Sequence, residues 1–206
     1  GAAVGLVRDH DVQLVTLKSN TERRVTKGGT AAKPHGLAEF VAQEEMSRFS
    51  GFWFSPDSKL IAFANGTGNR SESHQAALYL VSPDGGQVQR LTNASGGAGG
   101  NVEFQPRFSP FQVDGYYWMS FLSRRDYGNA QVGTRGSSRQ QIWVAAVKVG
   151  APAGQDPSEV GYWLPGQNTA SQNIAAFWAP RACRQQGEVC TVGSECCSAL
   201  CAVGPT

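Results

Sequence analysis

Two short phrases recur along this chain, and their alternation limits the folds open to it more than any other feature. The first is Leu14-Val15-Thr16-Leu17, a polar turn at Ser19-Asn20, then Arg23-Arg24-Val25-Thr26. It returns as Leu78-Tyr79-Leu80-Val81, a Pro83-Asp84-Gly85-Gly86 turn, then Val88-Gln89-Arg90-Leu91-Thr92. The second phrase is Phe52-Trp53-Phe54, a Ser55-Pro56-Asp57-Ser58 turn, then Lys59-Leu60-Ile61-Ala62-Phe63. Its echo runs from Pro106-Arg107-Phe108-Ser109-Pro110 through Asp114-Gly115 to Tyr116-Tyr117-Trp118-Met119-Ser120-Phe121. Gln141 to Val147 then repeats the opening strand of the first phrase.

Each phrase is a pair of strands around a turn. Aromatic and β-branched residues fit the pleated surface, proline presets φ in the turn, and Asp and Gly accept turn geometry. In chain order the phrases read strand, Ser-Pro turn, strand, loop, strand, turn, strand. That is one four-stranded antiparallel blade of the β-propeller kind. The expected fold class is therefore all-β, built of antiparallel four-stranded blades, with Trp53, Phe63, Trp118, Phe121 and Trp143 buried between them. At roughly 40–50 residues per blade, the chain ahead of its cysteines supplies about four. An unclosed set leaves sheet edges exposed, so an incomplete propeller is expected. Helix is expected only within Leu37 to Met46, where Ala, Glu and Gln gather. Gly-, Ser- or Pro-rich residues 93–101, 126–139 and 150–158 read as loops.

Hydrophobic residues make up 40% of the chain and charged residues 17%, enough for a core and too apolar for wholesale disorder. The net charge of +2 carries no basic run, which argues against nucleic acid as a partner. No apolar stretch approaches the ~18 residues of a membrane span. The chain opens at Gly1 with no Met and no signal-peptide pattern, as expected of a processed product or a fragment.

All five cysteines, Cys183, Cys190, Cys196, Cys197 and Cys201, fall in the last 24 residues. Such a cluster reads as a disulfide staple made in an oxidising compartment. An odd count leaves one thiol free or places its partner beyond Thr206. Zinc is the competing reading, with neither a histidine in the cluster nor a Cys-x2-Cys pair to support it. A module of about 20 residues has too little core to fold without staples. The expected organisation is blades over residues 1–180 and a Cys-rich module over 181–206. The expected location is an oxidising one, periplasmic or extracellular.

The stretch from Val7-Arg8-Asp9-His10-Asp11-Val12, through Gly36-Leu37-Ala38-Glu39-Phe40-Val41-Ala42-Gln43-Glu44-Glu45-Met46, to Phe52-Trp53-Phe54-Ser55-Pro56-Asp57 resembles the N-terminal propeller of bacterial dipeptidyl peptidase IV. That family belongs to the prolyl oligopeptidase clan, and the resemblance covers residues 1–66. From about residue 76 the likeness changes. Phe104 to Phe111, Phe121 to Gly128, Gln141 to Ala146 and Tyr162 to Gln167 resemble TolB-like, WD40-like propeller proteins of bacteria, some of which carry a Cys-rich tail. The first resemblance implies that Glu44 and Glu45 bind the free amino group of a peptide substrate. Two carboxylates converging on one ammonium make charge-assisted hydrogen bonds. On pattern alone, adjacent glutamates on a short helix are simply solvated.

A catalytic role is not expected. No Gly-x-Ser-x-Gly nucleophile elbow occurs, and the three histidines, His10, His35 and His74, all lie too early for a Ser–Asp–His order. No cofactor is implied, and a peptide N-terminus or a protein is the expected partner. Asp9-His10-Asp11 reads as a hairpin or strand end rather than a metal site, since no third ligand is near. Arg124-Arg125-Asp126 reads as a solvated strand end. The acceptor patterns at Asn65, Asn69 and Asn93 read as polar loops.

Overall fold

The computed structural model describes residues 3–38, 43–44, 47–66, 75–98, 102–126, 139–179 and 189. Eleven strands are found among them. They are β1 (Ala3–Arg8), β2 (Asp11–Thr16), β3 (Thr21–Arg24), β4 (Phe52–Phe54), β5 (Ile61–Gly66), β6 (Ala76–Val81), β7 (Gln89–Arg90), β8 (Glu103–Val113), β9 (Tyr116–Ser123), β10 (Gln141–Lys148) and β11 (Tyr162–Trp163). They form three antiparallel sheets in which neighbours in the chain are neighbours in the sheet: β1-β2-β3, β4-β5-β6-β7 and β8-β9-β10-β11. Three such meanders are the blades of an incomplete β-propeller, since closed ones typically use about four to eight.

The turns follow their residues. Asp9 and His10 both have positive φ, 51° and 65°, between Arg8 and Asp11, which pair across the hairpin. Asp114 and Gly115, at 51° and 80°, repeat that geometry between the paired Val113 and Tyr116. Two central residues with positive φ match the right-handed twist of the strands on either side. The Asp57 carboxylate of the Ser-Pro-Asp-Ser turn accepts from Ser55 Oγ at 2.8 Å and from the Lys59 amide at 3.2 Å. Pro106 and Pro110 lie in β8, an edge strand whose register against β9 shifts twice, so their missing donors cost little.

The middle sheet is covered on both faces, and the two-residue period of its strands assigns the faces. Ile61, Phe63 and Val81, with Phe52, pack with Val12, Leu14 and Val25 of the first blade. Ala62, Leu78 and Leu80 pack with Tyr117, Met119, Phe121, Trp143, Ala145 and Val147 of the third. Ile61, Ala62 and Phe63 are consequently all fully buried. Phe63, Phe121 and Trp143 lie in the core as expected. Trp53 and Trp118 are only half-buried. Trp118 alternates with the core residues Tyr117 and Met119, and so points to the other face of β9.

Where about four blades are expected, three sheets are found among the described residues. The third draws its strands from residues 103–163. Its fourth strand is short, yet the Gln167 side chain prolongs the pairing. Gln167 accepts from the Ile142 amide at 2.6 Å and donates to the Ile142 carbonyl at 2.8 Å. Of the segment expected as helix, Gln43 and Glu44 are helical, whereas Leu37 forms an antiparallel bridge with Ser50. Its remainder, Ala38 excepted, lies outside the described residues.

By compactness the chain divides into units Gly1–Ala176 and Phe177–Thr206. All five cysteines lie outside the described residues. No helix among the described residues is long and apolar enough to cross a membrane.

Candidate functional site

Residues 25–51 connect β3 to β4, and a buried carboxylate ties their first part to the first blade. Asp11 Oδ1 accepts from Thr26 Oγ1 at 2.8 Å and from the Gly29 amide at 3.1 Å, and it lies 2.7 Å from His35 Nδ1. Asp11 Oδ2 faces the Arg24 guanidinium at 3.1 Å. Burial alone raises the Asp11 pKa, but the bonds from Thr26, His35 and Gly29 and the charge of His35 outweigh it, and the net direction is down. An ionised carboxylate only accepts, which assigns the shared proton to His35 Nδ1. Gly29 is required here, because a Cβ would stand 1.8 Å from the His10 carbonyl oxygen.

Aspartate, histidine and a hydroxyl in contact invite a catalytic reading, which the geometry rejects. Thr26 donates to Asp11 rather than to His35, accepts from the Val12 amide at 2.9 Å, and is fully buried. No substrate reaches it. Asp11 ends the hairpin, as the sequence implies, and it also gathers Thr26, Gly29 and His35 around itself. Nothing local signals that second role, since His35 stands 24 positions away.

Beyond this hub the connection closes on itself and presents the predicted glutamate. Gly51 donates to the Gly36 carbonyl at 2.7 Å and Ala38 to the Phe49 carbonyl at 3.0 Å. The loop so pinched off carries Glu44, which is helical and solvent-exposed. Glu45 lies outside the described residues. Four positions after Glu44, Arg48 places its guanidinium 5.7 Å from the centre of the Trp53 ring, and Arg107 of β8 approaches that ring at 5.4 Å. Burial, aided by the charge of Arg48, lowers the Arg107 pKa. Two guanidinium groups approaching one indole form a cationic aromatic patch. Neither arginine stands out as a site residue in the sequence. The only signal was a single arginine near each aromatic run, Arg48 before Phe52 and Arg107 before Phe108.

Two further polar clusters lie in the second and third blades, and the first of them joins the two. Tyr117 of β9 donates to Asp57 Oδ2 at 2.7 Å. Burial raises the Asp57 pKa, but the bonds from Tyr117, Ser55 and Lys59 prevail and bring it to about 2; burial and Asp57 push Tyr117 up to about 12. Glu103, fully buried at the start of β8, accepts from Ser123 Oγ at 3.2 Å and from the Val102 amide at 3.0 Å. Burial raises its pKa to about 6 against the opposing charges of Arg125 and Arg90. The solvated strand end expected at Arg124-Arg125-Asp126 is corrected for its arginines. Arg124 is buried over the Phe104 ring, and Arg125 stacks 3.8 Å above the Trp143 ring. A planar guanidinium covers an aromatic face, which a solvated lysine would not do.

The family described as "Dipeptidyl peptidase IV (DPP IV) N-terminal region" matches residues 1–66, the stretch holding the Asp11 hub, Glu44 and the Ser-Pro-Asp turn. The first third of this chain is similar to that N-terminal region. Among solved structures, Porphyromonas gingivalis dipeptidyl peptidase 4 is 14% identical with a TM-score of 0.48, covering 72% of this chain and 22% of its own. An ancestral GH74 enzyme is also 14% identical, with a TM-score of 0.47, covering 79% of this chain and 17% of its own. The chain thus spans a small share of either protein.

Proposed function

We propose that this chain is a non-catalytic recognition and scaffold segment, built of propeller blades, of a bacterial protein exported to the periplasm or beyond. The match of residues 1–66 to an N-terminal peptidase region, rather than to a hydrolase, carries this reading. From about residue 76 the TolB-like phrases continue the blade pattern, and the cysteines of residues 181–206 form a disulfide module.

A second reading is favoured by the exposure of Glu44 on its pinched loop. Glu44 and Glu45 hold the N-terminal ammonium of a peptide, as the gating propeller of a dipeptidyl peptidase does for its substrate. An exposed pair of this kind contributes about 1 kcal/mol, so the segment anchors a peptide and does not turn it over. Transition-state stabilisation needs a nucleophile, a base and an oxyanion hole in register.

Titration of the purified chain with a Gly-Pro dipeptide and with its N-acetylated form tests this second reading. The free amine binds more tightly, and Glu44→Gln with Glu45→Gln removes the preference. Equal binding of the two forms defeats the amine-binding role. Turnover of a Gly-Pro chromogenic substrate that persists through purification defeats the non-catalytic reading.

A further inference from the structure

A cavity of about 370 Å³ lies between the second and third blades, at the end of the sheets where their hairpin turns gather. The β4–β5 turn supplies Lys59 and Leu60, and the end of β6 supplies Leu80 and Val81. The loop from β10 to β11 closes the other side with Lys148, Val149, Pro152 and Pro157. Its size falls within the range of small-molecule sites, and its wall is mostly aliphatic with a few polar groups, as such sites are.

Two features separate this cavity from an accidental crevice. The 150–158 loop is fastened from behind. Asp156 Oδ2 accepts from the Asn93 amide at 2.7 Å, Ser158 Oγ from the Ala94 amide at 3.1 Å, and Asn93 Nδ2 donates to the Ser158 carbonyl at 2.8 Å. The Lys148 amide donates to the Pro157 carbonyl at 2.8 Å and closes the loop at its base. A wall held this way is ordered before a ligand arrives, which lowers the cost of binding. The charge is also one-sided: the lining includes two lysines and no carboxylate. Lys59 already faces Asp57 at 3.3 Å, whereas Lys148 has no ion pair among the described residues. Gln87 and Gln89 add neutral amides that both donate and accept.

We propose that this inter-blade cavity binds a small organic carboxylate with an apolar body, the body against Leu60, Leu80, Val149 and Pro152 and the carboxylate towards Lys148. This site is distinct from the Glu44 loop, whose glutamates select a cation, and it stands or falls independently of it.

The probe is 4-phenylbutyrate, compared with its neutral amide and with 4-phenylbutylamine, in a titration of the full chain followed by amide NMR shifts. The carboxylate gives saturable shifts at Leu80, Gln89 and Val149, about two- to five-fold tighter than the neutral amide, as one exposed ion pair allows. Lys148→Gln brings carboxylate and amide to equal affinity, and Ala153→Trp, on the exposed loop, blocks both. If Ala153→Trp disturbs the fold, the Lys148→Gln comparison decides alone. No saturation up to about 10 mM, equal binding of carboxylate and amine, or a carboxylate preference that survives Lys148→Gln overturns the proposal.

Discussion

Replacing Asp11 by alanine removes the acceptor on which the β3–β4 connection converges. Thr26 is fully buried, His35 nearly so, and each loses its partner, as does the half-buried Gly29 amide. A stranded buried donor costs about 1–3 kcal/mol. Counting Thr26 and His35 fully and Gly29 in part gives a loss of about 3–5 kcal/mol, the scale for breaking a buried ion pair. Arg24 adds little, because its side chain is 46% exposed and rehydrates. Against the ~5–15 kcal/mol of a typical domain, this is a large fraction. Asp11→Asn keeps an acceptor for Thr26 and Gly29 and loses only charge assistance, about 1.5–3 kcal/mol. Urea unfolding followed by tryptophan fluorescence reads both values as midpoint shifts. The pH dependence supplies a second check. The Asp11 carboxyl is held below its ordinary value of 3.8, so its stabilisation is present above that pH and is lost as the pH falls through the lower folded value. The gap between native protein and Asp11→Ala therefore narrows below about pH 4. A loss under about 1 kcal/mol, or a gap unchanged between neutral and acid pH, refutes the hub.

Other predictions concern the joints between blades and the tail. Glu103 has its pKa raised from 4.5 to about 6, so its contribution is intact below pH 4.5 and is lost as the pH rises through 6; a urea midpoint that declines across this window flattens in Glu103→Gln. Tyr117→Phe removes the hydroxyl that bonds Asp57, costing about 1–2 kcal/mol in urea unfolding, and it lets the Asp57 carboxyl rise from about 2 towards its ordinary value by NMR titration. Phe63→Ala empties a fully buried site ringed by His35 and Tyr79 and lowers stability by about 3–5 kcal/mol. Thiol titration of denatured, exported protein finds at most one free cysteine among the five; four or five refute the disulfide module.

What the sequence made legible was periodic, and what it hid was a matter of distance or parity. The strand phrases and their order within a blade were readable because each is local: a pleated aromatic run, a turn with its own chemistry, a second run. β1 was harder, because Gly5 interrupts its pattern. The structure accounts for that glycine from outside the strand, since a Cβ there would meet the Phe52 ring at 2.6 Å. Trp53 and Trp118 look as buryable as Phe63, and only the sheet register decides between them. Trp53 stands opposite Ala62, on the face turned to the third blade, where Arg107 rather than another apolar group meets it. The same limit separates the two candidate sites. The glutamates of one were visible as adjacent letters supported by a family likeness. The cavity draws Lys59 from a turn and Leu80, Tyr117 and Lys148 from three strands of two sheets, and no spacing in the chain announces that they meet. A blade repeat conceals such sites by its construction, because each blade spells out its own hairpins and only their stacking creates the space between them.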